Sequence, residues 1–295
     1  MKYVLTGALG HISKPLAEKL VAAGHDVTII SSNPERSAAI TKIGATPAIG
    51  KVEDADFLTK TFTGATAVYT MVPPTLSAPH WKEHISGVGK IFATAISASG
   101  VKKVVNLSSI GAHMPNGGGP VSGIHFAEEA LNALPNVDVK HLRPAYFYLN
   151  LLSSVGMIKN AGFYGNNFGG DHLLPLTHPI DIAAAAAEEL LSLKFTGKSY
   201  RYIVSDERTS KEIASVLGAA IGKPGLPYVE FTDEDNLKGM LQAGLPEEPA
   251  RNYVEMGSAI RSGEMNADFN RNKVISGKTK LEDFAKEFAA AYTNA

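Results

Sequence analysis

The chain has 295 residues, 28 Lys and Arg against 29 Asp and Glu, a formal net charge of −1, and 44% hydrophobic residues. That is enough apolar material for a packed core, and the balanced charge gives no electrostatic case for nucleic acid or an anionic membrane as a partner. Cysteine is absent, which excludes disulfides, thiolate catalysis, iron–sulfur clusters and cysteine zinc sites.

Over the first 150 residues short apolar runs alternate with longer amphipathic ones. Strands are predicted at 2–6, 26–31, 46–49, 67–71, 103–107 and 137–142, with helices between them at 12–23, 34–43, 55–61, 80–99 and 122–134. Gly24, Gly44 and Gly100 follow helical runs where a left-handed capping residue belongs, and Asn33-Pro34 sets a cap before a first-turn proline. Strand–helix–strand units of this kind cross over right-handed and wind a parallel sheet in both directions. Beyond 142 helices dominate, at 180–193, 210–221, 232–243, 247–262 and 281–292, with strands only at 199–204 and 228–231. The expected architecture is α/β: a Rossmann-type doubly wound parallel sheet over 1–150 and a smaller, mainly helical lobe over 151–295. The boundary is interleaved, because the helix opening at Pro179-Ile180-Asp181 packs back onto the first domain. Only Tyr3-Val4-Leu5 are bulky and apolar before the glycines, too few for a signal-peptide core, and the alanine run 183–187 ends in Glu188-Glu189. A cytoplasmic protein with no membrane association is the expectation.

The stretch Leu5-Thr6-Gly7-Ala8-Leu9-Gly10-His11-Ile12-Ser13 joins the first strand to the first helix. In a dinucleotide loop the first glycine permits the tight turn and the second lets the backbone approach the pyrophosphate. The third packs helix on strand, while the helix N-terminus supplies amides and positive potential. Here Gly7 and Gly10 are in place, His11 and Ile12 open the helix, and Ser13 stands at the packing position. The second strand ends in Ser31-Ser32 with Arg36 close behind, not in the acidic residue that binds a ribose 2′-hydroxyl. NADP(H) is therefore expected in preference to NAD(H), with Ser31, Ser32 and Arg36 at the adenosine end. Met71, Val72, Pro73 and Pro74, at the end of the fourth strand, are placed as an apolar wall for the nicotinamide.

These residues carry a family resemblance. The Thr6-Gly7 start, Asn33-Pro34-Glu35-Arg36, Val72-Pro73-Pro74 and Gly100 to Val105 leading to Leu107-Ser108-Ser109 are similar to the NmrA-like atypical short-chain dehydrogenase/reductases. So are His125 with Glu129 and Leu131, and Leu142-Arg143-Pro144 followed by Asn150. In the second lobe Asp181-Ile182, Gly244-Leu245-Pro246 and the run from Gly277-Lys278 to Phe284-Ala285 extend the resemblance. It implies a Rossmann-type NAD(P) domain with a small substrate lobe, and activities from NAD(P)H-dependent quinone and azo reduction to cofactor-sensing regulators without turnover. Three positions depart from the pattern. Ser32 stands where many relatives have arginine, and Lys51 where many have an acidic residue. The Tyr-x-x-x-Lys pair of conventional short-chain enzymes is replaced by Val121 and His125.

Val121 removes the acid–base group needed for alcohol oxidation and sugar epimerisation. Reduction of a quinone asks less, since the oxygen formed is phenolic, and an imidazole changes charge near neutral pH. His125 is the catalytic candidate, with Glu129 one turn on to orient it and Ser109 beside it at the carboxyl edge of the sheet. Ser108, Tyr146 and Tyr148 are substrate-facing candidates. His80 and His84 have metal-compatible spacing but lack the HExxH order and a third ligand, so no metal is expected. Asn116-Gly117-Gly118-Gly119-Pro120 has no strand leading into it and reads as a lid or connector. Two functions remain: a reductase of quinone- or azo-type small molecules, or an NADP(H)-sensing regulator that acts through a protein partner.

Overall fold

The computed structural model describes all 295 residues. The elements run β1 Lys2–Leu5, α1 Ser13–Ala22, β2 Asp26–Ser31, α2 Ser37–Lys42, β3 Thr46–Ile49, α3 Ala55–Phe62, β4 Ala67–Thr70, α4 Trp81–Ser99, β5 Lys103–Leu107, α5 Pro120–Asn132 and β6 Asp138–Pro144. They continue with β7 Tyr146–Phe147, α6 Val155–Ala161, β8 Tyr164–Asn166, β9 Leu173–Thr177, α7 Pro179–Ser192, β10 Lys198–Ile203, β11 Asp206–Thr209 and α8 Ser210–Ala220. The chain ends with β12 Tyr228–Glu230, α9 Asp233–Gln242, α10 Glu247–Ser262, α11 Ala267–Arg271 and α12 Leu281–Asn294. Contacts divide the chain into two units that interleave in sequence, so no single cut separates them. Unit 1 is Met1–Ser109, Gly123–Arg143 and Ile182–Arg201; unit 2 is Ile110–Ser122, Pro144–Asp181 and Tyr202–Ala295.

The main sheet has the order β10-β6-β5-β4-β1-β2-β3, and β1 to β6 pair in parallel. The order reverses between β1 and β4, the switch point outside which doubly wound sheets bind ligands. Strand residues facing α3 and α4 are apolar for a reason of layering: Val4, Ile30, Val68 and Val104 meet Leu58, Phe62, Val88, Phe92 and Ile96 in one buried cluster. The helix α4 earns its length from apolar residues one turn apart (Trp81, Ile85, Val88, Phe92, Ile96) and stops at Gly100, φ 78°. Gly89 brings α4 against α5: a Cβ there would stand 2.4 Å from that of Ala127. Gly123 does the same from the α5 side, toward the Lys82 carbonyl and Ile85. This close crossing holds α5 along the sheet.

Unit 2 has its own core, in which Tyr148, Ile158, Leu176, Ile213, Leu217, Phe269, Phe284 and Phe288 are buried together. It is less helical than expected. A sheet β11-β9-β7 and a pair β12-β8 lie in it, and of these only β12 is predicted from the sequence. The others escape because β7 has two residues and β8 three with a central glycine, β9 carries Pro175, and β11 is Asp-Glu-Arg-Thr, all against the usual strand signals.

Candidate functional site

The glycine turn begins where β1 ends. Gly7 has φ 90° and Ala8 φ 49°, so the chain reverses through the left-handed region that glycine enters without strain. The turn is also crowded on one side. A Cβ at Gly7 would lie 2.4 Å from both Met71 Sδ and Ser13 Oγ. Ser13 explains how the loop does without its third glycine: it is buried and its hydroxyl donates to the Thr6 carbonyl at 2.9 Å, stitching α1 to β1. On the other side the turn is open. A Cβ at Gly10 would meet only the Gly7 carbonyl, at 3.1 Å, and the amides of His11 and Ile12 have no acceptor in the chain. These are the orphan donors of a helix start, aimed where a phosphate belongs. His11 is exposed, whereas the Ile12 side chain is buried, so Ile12 contributes its backbone alone. The residues present fit a pyrophosphate.

At the end of β2 the expected trio separates. Ser31 is buried, and its hydroxyl lies 3.2 Å from both the amide and the carbonyl of Asn33. It shapes the turn and does not face outward. Ser32 and Arg36 are exposed. Strand register brings β3 alongside, Ser31 opposite Ile49, with the Gly50 amide donating to the Ser31 carbonyl at 3.0 Å. Lys51 therefore emerges beside Ser32, exposed and, like Arg36, without an ion pair. The β4 end is anchored by Thr6, whose hydroxyl accepts from the Met71 amide at 2.7 Å. Val72 packs partly on the α3–α4 cluster, Pro73 is half-buried, and Met71 is the side chain that overhangs Gly7.

Side chains define the β5 edge. Ser108 is buried and its hydroxyl donates to Glu128 Oε1 on α5. That proton is committed, so Ser108 cannot also donate to a substrate carbonyl, which corrects its assignment as a substrate-facing hydroxyl. Ser109, half-buried, has a hydroxyl without a partner in the chain. On the outer side of α5, His125 Nε2 stands 3.5 Å from Glu129 Oε1, with the histidine side chain 18% exposed and the glutamate 62%. The Phe126 ring meets the imidazole edge-on, 5.0 Å between centroids. The pair expected one turn apart is formed, loosely.

Within unit 2 the two tyrosines part company. Tyr148 is fully buried, stacks on Phe284 at 5.2 Å and donates to the Thr279 carbonyl at 3.2 Å; it is packing, not substrate surface. Tyr146 is half-buried edge-on to Phe168, and burial together with the neighbouring phenol of Tyr253 raises its pKa, keeping the hydroxyl a donor. Tyr253, on α10, lay outside the sequence reading because nothing in its own stretch marks it. The loop 116–120 is no lid at its helical end: Gly118 and Gly119 are buried, and a Cβ on Gly119 would lie 2.1 Å from the Asn252 carbonyl.

A strand–turn–helix with open amides at the switch point of a doubly wound sheet defines a Rossmann-type NAD(P)H-binding protein. Residues 7–140 match the model of the NAD(P)H-binding family. A reductase of (4-alkanoyl-5-oxo-2,5-dihydrofuran-3-yl)methyl phosphate from Streptomyces griseus is 25% identical over 291 residues, 98% of each chain. Among solved structures, the NADPH-dependent quinone oxidoreductase of Escherichia coli in complex with NADPH superposes with a TM-score of 0.83 at 20% identity, covering 97% of this chain and 99% of that one. The triphenylmethane reductase of Citrobacter sp. in complex with NADP(H) gives 0.81 at 21%, covering 98% and 100%. At these identities the structural likeness speaks for the fold. The family model matched is that of NAD(P)H-binding proteins, over residues 7–140, and the motifs of the chain resemble those of the NmrA-like atypical short-chain dehydrogenase/reductases.

Proposed function

We propose that the protein is an NAD(P)H-dependent reductase that passes a hydride to a quinone- or azo-type small molecule. The observation that carries the reading is an open nucleotide turn set in the same unit as a β5 edge whose uncommitted hydroxyl is Ser109. When bound, the reduced nicotinamide supplies the hydride. Ser109 donates a hydrogen bond to the acceptor oxygen, and His125, steadied by Glu129 at Nε2, supplies the proton. The phenolic oxygen formed stabilises its own charge, so the weak grip of Glu129 suffices and the missing tyrosine is tolerated. NADP(H) is favoured over NAD(H), because β2 ends in Ser31-Ser32 and not in an acidic residue, and Arg36 and Lys51 are exposed in the segments that follow β2 and β3. No helix is long and apolar enough to cross a membrane, and the cytoplasm is the expected setting.

One observation favours a second reading, an NADP(H)-sensing regulator with a protein partner. Val121, at the position of the usual tyrosine, is a buried apolar residue, so the conventional acid cannot be recovered by a small shift. NADPH oxidation by the purified protein, with and without a simple quinone, separates the two. Quinone-dependent oxidation that falls at least about tenfold in His125→Ala supports the reductase, a loss in the usual range for general acid catalysis. Tight NADPH binding with no oxidation by any quinone or azo compound tried supports the sensor.

A further inference from the structure

Beneath the outward face of α5 lies a buried polar layer that takes no direct part in the proposed hydride or proton transfer. Side chains two apart on a strand share a face, so Asn106 and Ser108 after it point the same way, as do His141 and Arg143 of β6. Register sets Thr70 opposite Asn106, and Asn106 opposite His141. Thr70 Oγ1 donates to Asn106 Oδ1 at 2.8 Å, Asn106 Nδ2 to His141 Nδ1 at 3.1 Å, and His141 Nε2 to Asn132 Oδ1 at 3.0 Å. That order of donors requires a neutral imidazole with its hydrogen on Nε2, and burial holds His141 down at about 4. Two residues further along the strands, Arg143 grips Glu128 with both arms, Nε to Oε1 at 2.9 Å and Nη2 to Oε2 at 2.6 Å. Ser108 shares the same carboxylate, and the Tyr200 ring lies 4.1 Å from the guanidinium. Burial opposes the charge on Glu128, but the Arg143 hydrogen bonds and charge, with smaller help from His141 and the Ser108 hydroxyl, together keep the carboxyl below its ordinary range.

A buried ion pair is a poor way to gain stability, since apolar residues of the same shape do as well or better; its attested gain, where there is one, is a single geometry. The location says what is being aligned. Glu128 lies three residues after His125 on α5, and its partner Ser108 is the residue before Ser109. Of the two proposed reacting groups, Ser109 is thus next to a hydrogen-bond partner of the carboxylate and His125 is one helical turn from the carboxylate's own residue.

We propose that Glu128 is a positioning residue: through Arg143 and Ser108 it locks the end of β5 to α5 and so fixes Ser109 and His125 relative to each other. What is positioned rests on the reductase reading; that something is positioned does not.

The experiment compares wild type, Glu128→Gln, Glu128→Asp, Ser108→Ala and the Glu128→Gln/Ser108→Ala pair. For each, kcat and KM with a simple quinone, the emission spectrum of bound NADPH and the Tm are measured. The gentle Ser108→Ala leaves the ion pair intact and decides the matter should Glu128→Gln fail to fold. The expected result is a kcat lower by about tenfold to a hundredfold in Glu128→Gln with KM values near wild type, the scale of a misplaced group. Glu128→Asp should recover part of the loss, and the double variant should lose no more than the worse single one. A lower Tm with kcat and emission unchanged in both single variants overturns the proposal and leaves packing alone. If wild type binds NADPH yet reduces no quinone, the reductase reading fails; a shifted emission of bound NADPH in Glu128→Gln and Ser108→Ala then still supports positioning, and an unshifted one overturns it.

Discussion

The turn at Gly7–Gly10 and the turn at Gly117–Gly119 each lead into a helix, α1 and α5, and they differ in what fills them. At the first, the amides of His11 and Ile12 have no acceptor and a Cβ on Gly10 would touch only backbone at 3.1 Å. At the second, the Gly118 amide donates to Ser122 Oγ at 3.2 Å, the Val121 and Ser122 amides return to the Gly118 and Gly119 carbonyls, and Pro120 has no amide to offer. Asn252 presses against Gly119. Glycine serves reach toward a ligand in one turn and close packing of α10 in the other. The second turn is the richer in glycine, yet the Gly118, Val121 and Ser122 amides at its helical end are spent. What distinguishes a phosphate cradle is the account of its backbone donors.

The two turns should therefore fail in different ways. Gly7→Ala meets Met71 and Ser13 and must hold φ 90°; it should weaken NADPH binding by about a hundredfold or more, read by fluorescence titration. Gly119→Ala, with φ 58° and a carbonyl in the way, should cost roughly 2 kcal/mol in denaturant unfolding, while the folded protein binds NADPH as wild type does. Equal losses of binding in both would break the comparison. A smaller effect sharpens the adenosine end: Arg36→Ala should weaken NADPH about tenfold, one charge-assisted contact, and leave NADH unchanged. Smallest of all, Ser13→Ala removes a buried hydrogen bond to the Thr6 carbonyl. It should lower stability by about 1 kcal/mol, with NADPH affinity close to wild type.

The sheet of unit 1 was legible because its strands are short continuous apolar runs between helices that end in glycine. All six predicted strands over the first 150 residues form, within two residues of their expected ends. Unit 2 hides its strands in proline, charge and brevity, as β9 and β11 show. At the candidate site, residue type and position single out the glycines, Ser109 and the His125–Glu129 spacing, and the structure gives that spacing a 3.5 Å approach of the two side chains. The direction of a hydroxyl was not legible: Ser31 and Ser108 sit where cofactor or substrate residues belong, and only their partners, the Asn33 backbone and Glu128, reveal that they are committed inward. The tight approach of Met71 to Gly7 comes from the turn and not from its own stretch, and the Glu128–Arg143 pair joins residues 15 apart in sequence. Such pairings belong to the fold and leave no local mark.

A single-turnover experiment bears most directly on the account. Protein saturated with NADPH deuterated at the transferred position of C4 would be mixed with excess quinone and the nicotinamide absorbance followed. We expect one exponential loss of the reduced nicotinamide, slower than with the protiated cofactor and slowed further in His125→Ala. Bound NADPH that stays reduced in the presence of quinone would contradict the proposed hydride transfer and leave the site a sensor.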